Sequence, residues 1–333
     1  MRAVVIAEPG QLSIEELPRP GPAPHEVLVA VSACGLCGTD LHTLDGTNPL
    51  ARYPCVPGHE FAGRVIEAGP DVPAPAVGDV VCVDPSRSCG VCRECKRGRP
   101  NLCPDKGGYG SRLPGGFAEF VAVDARACEP LPPGVEPRVG ALAEPIACML
   151  HAMDRLGPVL GDDALVYGAG PIGVIVAQLL ARSGAGSVSI VDPSRARLDG
   201  LPAAVTASAA SVGRLGRDAW DVVVDATGSP AAVADALQRL RPGGRLLIAG
   251  VASPGATVPL APFDVYRREI TIIGTMALVS SFGRAVRLLG DAAMQWPGLV
   301  SHWLPLEDFP RAIDLVRSAA GRKVAVVPEG TAA

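Results

Sequence analysis

Apolar positions along the chain fall into two textures. From residue 1 to about 145 they come as short runs rich in Val, Ile and Ala: Ala3–Ala7, Glu26–Ser32, Ala62–Ala68 and Asp79–Asp84. Pro, Gly and Asp bound these runs, which predicts short strands joined by turns. The stretch Pro18 to Pro24 carries four prolines and cannot be helix interior, so it reads as an extended surface crossing. From about 146 the runs Ala164–Tyr167, Ser187–Val191, Asp221–Asp225, Arg245–Ala249 and Ile270–Ile273 predict buried strands. Helical segments Ile172–Ser183 and Ala231–Leu240 alternate with them, and a weaker one precedes the last strand. Such alternation argues a parallel α/β sheet. Leu201–Ser211 has too few long apolar residues to predict a helix, and the tail reads as helical Phe282–Gly290 and Leu306–Ala320, then a strand at Lys323–Val327.

Length and composition narrow the class. At 333 residues the chain is long for one core, so two domains are expected. A net charge of −4 gives no general attraction to nucleic acid or to an anionic membrane. The apolar stretch Ala164 to Ala181 approaches membrane-spanning length, but Gly168, Gly170, Pro171 and Gly173 break it into a strand and the start of a helix. Ten cysteines would suit a secreted disulfide scaffold only in a small chain. The apolar run in MRAVVIAEPG is also short for a secretory leader, so a cytoplasmic protein with reduced thiols is expected.

Those thiols have a pattern. Cys89, Cys92, Cys95 and Cys103 stand at C-x2-C-x2-C-x7-C, close enough to close one tetrahedral Zn²⁺ as a structural site. A ferredoxin run shares the first spacings and Pro104 follows Cys103, but the x7 gap breaks that pattern. Arg93, Lys96, Arg97 and Arg99 make the lobe basic, which offsets the net negative charge of a zinc tetrathiolate. A second set comprises Cys37, in Cys34-Gly-Leu-Cys37-Gly-Thr39-Asp40-Leu-His42, and His59, in Gly58-His59-Glu60. Both are ligands Zn²⁺ accepts, and a third must come from a carboxylate, Glu60 or Glu144. Glu144 stands where the two textures meet, and a domain junction is where clefts form. Cys34, Cys55, Cys82, Cys128 and Cys148 belong to no motif and read as core.

Gly168-Ala-Gly170-Pro171-Ile172-Gly173 follows a predicted strand and opens a predicted helix, and Asp192 ends the next strand 19 residues later. That context makes it a dinucleotide fingerprint. The glycines permit the turn, the approach of the pyrophosphate and close helix–strand packing, and the helix N-terminus favours phosphate. Asp192 can accept the ribose hydroxyls and would repel a 2′-phosphate, so NAD is expected over NADP, with Arg195 and Arg197 softening the preference.

Taken together, CGLCGTDLH, VPGHEFAGRV, the four-cysteine lobe, AEPIA, GAGPIG and the Asp192 strand resemble the zinc-dependent medium-chain dehydrogenase/reductase family over about residues 1 to 327. Glu144 in AEP, rather than a third cysteine, resembles the polyol, threonine and cyclitol branch, and the layout is similar to 2-deoxy-scyllo-inosamine dehydrogenases. The resemblance implies a GroES-like β-rich catalytic domain, residues 1–146 and 280–333, with the structural zinc lobe at 85–108. It implies a Rossmann doubly wound parallel-sheet domain at 147–279. It implies a catalytic zinc on Cys37, His59 and Glu144, with Glu60 exchanging or acting from behind, and two zinc ions per chain. Thr39 would take the substrate proton and His42 would pass it, by way of the cofactor ribose, toward solvent. Pro171, Ile172, Arg197, Thr227 and Val251 would join the glycines and Asp192 in holding NAD. A small polyol or cyclitol substrate, no nucleic acid or membrane partner, and a homodimer or homotetramer are implied, with Ile270–Ile273 as an edge strand open to a second copy. The physical logic is that an alcohol must lose a proton before it gives up hydride, and Zn²⁺ makes a bound hydroxyl far more acidic. A hydroxyl both donates and accepts, and imidazole exchanges protons near neutrality, so both suit a relay. Threonine-type or simple alcohol oxidation on the same scaffold is the alternative, and a nucleotide-sensing relative without turnover is a third reading.

Overall fold

The computed structural model describes residues 1–296 and 298–328. Positions 297 and 329–333, inside the expected second segment of the catalytic domain, lie outside the described residues. The chain divides into two compact units, Met1–Ala147 with Leu278–Ala333, and Cys148–Ala277.

In the first unit the strands are β1 (Arg2–Glu8), β2 (Gln11–Glu16), β3 (Glu26–Leu36), β4 (Glu60–Ala68), β5 (Val80–Val83), the two-residue β6 (Ser86–Arg87) and β7 (Gly107–Gly108), β8 (Phe120–Asp124) and β9 (Cys128–Pro130). Helices α1 (Gly38–Leu44), α2 (Arg93–Lys96) and α3 (Ala143–Leu156) interrupt or follow them. The second unit carries β10 (Asp163–Tyr167), α4 (Pro171–Arg182), β11 (Ser187–Val191), α5 (Arg195–Leu198), β12 (Ala207–Ala209), β13 (Trp220–Asp225), α6 (Pro230–Gln238), β14 (Leu240–Ile248), α7 (Pro262–Arg268) and β15 (Thr271–Gly274). The chain then rejoins the first unit with α8 (Phe282–Leu289), β16 (Val300–Pro305), α9 (Phe309–Arg317) and β17 (Lys323–Val327).

The organising strand of the first unit is β3. It is buried along nearly its whole length because β4, β8 and β17 all pair with it antiparallel. Its sequence is therefore a continuous apolar run rather than an alternating one. The sheet order is β16-β17-β3-β4-β5-β9, with β8 also on β3. The returning tail is held by packing: the rings of Phe117 and Phe309 meet edge-on at 4.7 Å, and Ser281 Oγ donates to the Ala147 carbonyl at 2.8 Å. The second unit is one parallel sheet in the order β12-β11-β10-β13-β14-β15, the doubly wound order of dinucleotide-binding folds. Strands β10 and β13 are buried on both faces around Leu165, Trp220, Val223 and Leu246. Strand β15 lies at the edge, with Ile272 40% exposed. No helix among the described residues is long and apolar enough to cross a membrane.

The segment 201–211 holds no helix, as expected, and contains β12, a three-residue edge strand set by pairing with β11 rather than by its own apolar content. Two local readings change. The strand expected from Arg245 begins at Leu240, with a shift of register around Pro242–Gly244. The expected helix Leu306–Ala320 is a 3-10 turn at Leu306–Asp308 followed by the shorter α9.

The cysteine lobe is tied to the sheet at its base. Asp124, 2% exposed at the end of β8, accepts from Arg126 Nη2 at 2.7 Å and lies 3.1 Å from Arg87 Nη2. The Asp124 backbone N–H donates to the Tyr109 hydroxyl at 2.8 Å, and the Arg87 guanidinium lies 5.6 Å from that ring's centre. Arg87 within the lobe and Arg126 beyond it thus meet one carboxylate, and Tyr109 meets the same residue's backbone. Hydrogen bonds from Arg126, then those from Arg87, hold Asp124 well below the usual carboxylate range. A depressed folded pKa gives stability present above the unfolded value of about 4 and lost as pH falls through the folded value. Asp124→Asn should therefore cost about 1–2 kcal/mol at neutral pH, discounted for the exposed arginines, and the gap to wild type should close below about pH 4. Denaturant midpoints across that range check it; a gap that widens in acid contradicts it.

Candidate metal centres and dinucleotide site

Helix α1 begins where β3 ends, and Cys37 is its N-cap: the Thr39 N–H donates to Cys37 Sγ at 3.3 Å, and the Cys37 N–H donates to Asp40 Oδ2 at 3.0 Å. The helix buries Asp40, Thr43 and Leu44, so Leu44 packs into the core. Thr39 and His42 lie on the exposed side, three residues apart and hence neighbours on one face. His42 Nδ1 is 3.0 Å from Thr47 Oγ1.

Across β3, β4 begins with Glu60, and His59 just precedes it. Cys37 Sγ is 3.6 Å from His59 Nε2, and ligand atoms of Cys37, His59 and Glu60 all lie within 4.8 Å of one another. Glu144, in the first turn of α3, acts on the His59 imidazole electrostatically but is not in that cluster. Two neighbours were not legible as functional. Asp40 Oδ1 lies 3.9 Å from His59 Nδ1, on the side away from the sulfur, too far for a hydrogen bond but near enough to act on the imidazole as a charge. Lys323, at the start of β17 and 3% exposed, forms an ion pair with Glu60.

The electrostatics favour a cation. Burial pushes the Cys37 thiol up, and burial likewise raises Asp40. Burial would lower His59, but the Cys37 sulfur and then Asp40 and Glu144 outweigh it and raise its pKa well above the ordinary value. Burial also opposes the charge on Lys323, and Glu60 more than restores it. Cys37, Asp40 and Glu60 thus sit beside the Lys323 ammonium and an imidazole biased toward its protonated form. A divalent cation would replace the thiol and imidazole protons, and the sulfur, nitrogen and oxygen donors fit Zn²⁺.

The four-cysteine lobe forms a second cluster. Cys89, Cys92, Cys95 and Cys103 bring their sulfurs within 4.8 Å of one another, and all are free thiols. Cys103 Sγ stands 3.5 Å from Cys89 Sγ, close to the roughly 3.8 Å edge of a tetrahedron with Zn–S of about 2.3 Å. Backbone N–H groups of Val91 and Cys92 lower the Cys89 thiol to about 7. The knuckle favours thiolate at Cys89, while burial and its hydrogen bond to Cys89 push the Cys103 thiol up to about 11.

In the second unit, register aligns Tyr167 with Val191 and Asp225, and Asp225 with Ile248. Gly168–Gly173, Asp192, Thr227 and Val251 therefore all follow strand ends on one edge of the sheet. The Ala169 N–H donates to Asp192 Oδ2 at 2.9 Å, the Ser194 N–H donates to Oδ1 at 2.8 Å, and Arg197 Nη1 lies 3.9 Å away. A Cβ at Gly173 would collide with the Gly168 carbonyl oxygen. Helix α4 starts at Pro171 with no capping side chain among the described residues, which leaves the N–H groups of Ile172 and Gly173 for phosphate. Thr227 and Val251 are exposed on this edge. Asp225, 0% exposed, escaped the sequence reading: it takes the N–H and hydroxyl of Thr227 at 2.9 and 2.5 Å and shapes the loop.

Residues 23–133 match the alcohol dehydrogenase GroES-like domain, and residues 171–291 match the zinc-binding dehydrogenase domain. D-altritol 5-dehydrogenase of Agrobacterium fabrum is 38% identical over 92% of this chain and 94% of its own. D-arabinitol dehydrogenase 1 of Uromyces fabae is 34% identical over 98% and 97%. A crystal structure of a zinc-binding dehydrogenase from Sinorhizobium meliloti, bound to NADP, superposes with a TM-score of 0.91 at 33% identity, covering 98% of this chain and 99% of that one. The chain belongs to the zinc-binding alcohol dehydrogenases of the medium-chain dehydrogenase/reductase family, with a GroES-like and a Rossmann domain. It is a zinc alcohol dehydrogenase that uses a nicotinamide dinucleotide.

Gly173→Ala should abolish detectable dinucleotide binding in fluorescence titration while the thermal transition stays cooperative; wild-type affinity would contradict the close packing described. Cys95→Ala should lower zinc content by one ion per chain and lower Tm by several degrees, an unchanged melting temperature and zinc content being the contrary outcome.

Proposed function

We propose that the protein oxidises a secondary alcohol of a polyol, cyclitol or amino-cyclitol to the ketone, reversibly, with NAD, and that 2-deoxy-scyllo-inosamine is a fitting substrate. The observation that carries this reading is the convergence of Cys37, His59 and a buried carboxylate cluster beside the exposed Thr39–His42 face of α1. The polyol substrates named for the two curated relatives support the substrate class.

Cys37, His59 and Glu144 would hold the catalytic zinc, with Glu60 in reserve, and Cys89, Cys92, Cys95 and Cys103 a structural zinc. Zinc held there would supply the acidity that a substrate hydroxyl needs near neutral pH, and NAD⁺ on the second unit would supply the hydride acceptor. The chain's own side chains do the rest. The Thr39 hydroxyl takes the alcohol proton and hands on its own. His42, on the same exposed face, releases a proton outward, with Thr47 Oγ1 placing the ring. Gly168, Gly170, Pro171, Ile172 and Gly173 seat the pyrophosphate, Asp192 and Arg197 the ribose, and Thr227 and Val251 border the site. Asp192 favours NAD, in contrast to the NADP bound by the S. meliloti relative. Asp192 oxygens engaged by two N–H donors keep lone pairs that accept from the ribose hydroxyls, and the carboxylate repels a 2′-phosphate, which is itself an anionic acceptor. We place the protein in the reducing cytoplasm, as a homodimer or homotetramer joined through the exposed edge β15.

Reduced nicotinamide absorbance, followed with NAD⁺ or NADP⁺ over cyclitols, linear polyols, threonine and simple alcohols, tests this. Turnover on a cyclic or linear polyol, at least ten-fold better with NAD⁺, is expected; threonine as the sole substrate would favour the alternative. Cys37→Ala should lose at least 10³-fold in kcat with an unchanged far-ultraviolet spectrum, since metal and oriented acid supply several kcal/mol of barrier reduction. Normal turnover by that variant would displace the site.

A further inference from the structure

Lys323 is the first residue of β17 and Glu60 the first of β4, and the two strands flank β3. Pairing sets Gly35 opposite Glu60 and Leu36 opposite Val324, which brings Lys323 level with the start of α1. The side chains of Lys323 and Glu60 are 3% and 4% exposed, and they meet over the middle strand. They can do so because position 35 has no side chain. A Cβ there would fall on Glu60 Oε2 and stand 2.8 Å from Lys323 Cε. The backbone at Gly35 does not need positive φ, so the glycine serves space rather than conformation.

A buried ion pair brings little net stability, because desolvation offsets most of its attraction. Its value lies in where it holds the charge. Glu60 has ligand atoms within 4.8 Å of those of Cys37 and His59, so a free Glu60 carboxylate could join a metal there. We propose that Lys323, through the window at Gly35, is a positioning residue that holds the Glu60 carboxylate back from the metal and so keeps one coordination position open for substrate. This rests on the reading of Cys37 and His59 as a metal centre. Removing the ammonium frees Glu60 to become a ligand and close the site. The pair is thus a lock on coordination number rather than a prop for the fold.

The test is cobalt(II) substitution at this centre, read by the visible d–d bands, together with the rate of zinc release to a chelator. Lys323→Met should shift the bands toward a more highly coordinated ion, slow zinc release at least ten-fold and lower kcat with little change in KM. Lys323→Arg, which keeps the charge, should retain the wild-type bands. Lys323→Met/Glu60→Gln should restore them, because an amide is a poor substitute for the carboxylate. Bands that stay shifted in this double variant would show that Lys323 acts only as a nearby charge, and would overturn the proposal. Should Lys323→Met not fold, Gly35→Ala drives the carboxylate and ammonium apart with both charges present and should give the same shift. Unshifted bands in a folded single variant that still binds cobalt refute the lock. Failure of the underlying reading looks different: the wild type would then take up no cobalt that Cys37→Ala loses.

Discussion

A thiol, an imidazole and two carboxylates gathered in a largely buried pocket are unstable company without positive charge. Around Cys37 and His59 the protein supplies the Lys323 ammonium and an imidazole held toward its protonated form, against Cys37, Asp40 and Glu60. A metal ion would take the place of the thiol and imidazole protons, and much of the first unit is arranged to fix these groups. Strand β3 delivers Cys37, β4 delivers Glu60, α1 turns Asp40 inward, and the returning tail brings Lys323. Packing between Phe117 and Phe309 secures that tail. The loss of that packing would unseat a charge as well as a core.

The two halves of the chemistry use opposite electrostatic devices. The first unit concentrates negative charge and so binds metal. The second exposes N–H groups at the start of α4 and so binds phosphate, while Asp192 and Asp225 tie down the loops on either side.

Motifs short in sequence were legible. GxGxxG, the Asp192 strand, the cysteine lobe and the alternating elements of the parallel sheet are local patterns, and their physical meaning is carried within a few tens of residues. What was not legible depends on pairing between distant strands. Lys323 reads as the first residue of a terminal strand until β17 is seen beside β3. Gly35 reads as one of many glycines until a carboxylate and an ammonium are found above it. Asp40 lay inside the quoted motif, yet only burial against His59 gives it a role. Strand β2 escaped notice because it takes its conformation from β1 rather than from a strong apolar run, whereas β8 carries an apolar run, Phe120–Val123, that was legible. The choice between Glu60 and Glu144 likewise turns on the ion pair, which spacing does not reveal.

Zinc K-edge X-ray absorption on the purified protein, with the metal counted per chain, tests the account most directly. Two ions per chain with an average of about 2.5 sulfurs each are predicted, one tetrathiolate and one bound through a single thiolate with nitrogen and oxygen. A single zinc with about four sulfurs would contradict it.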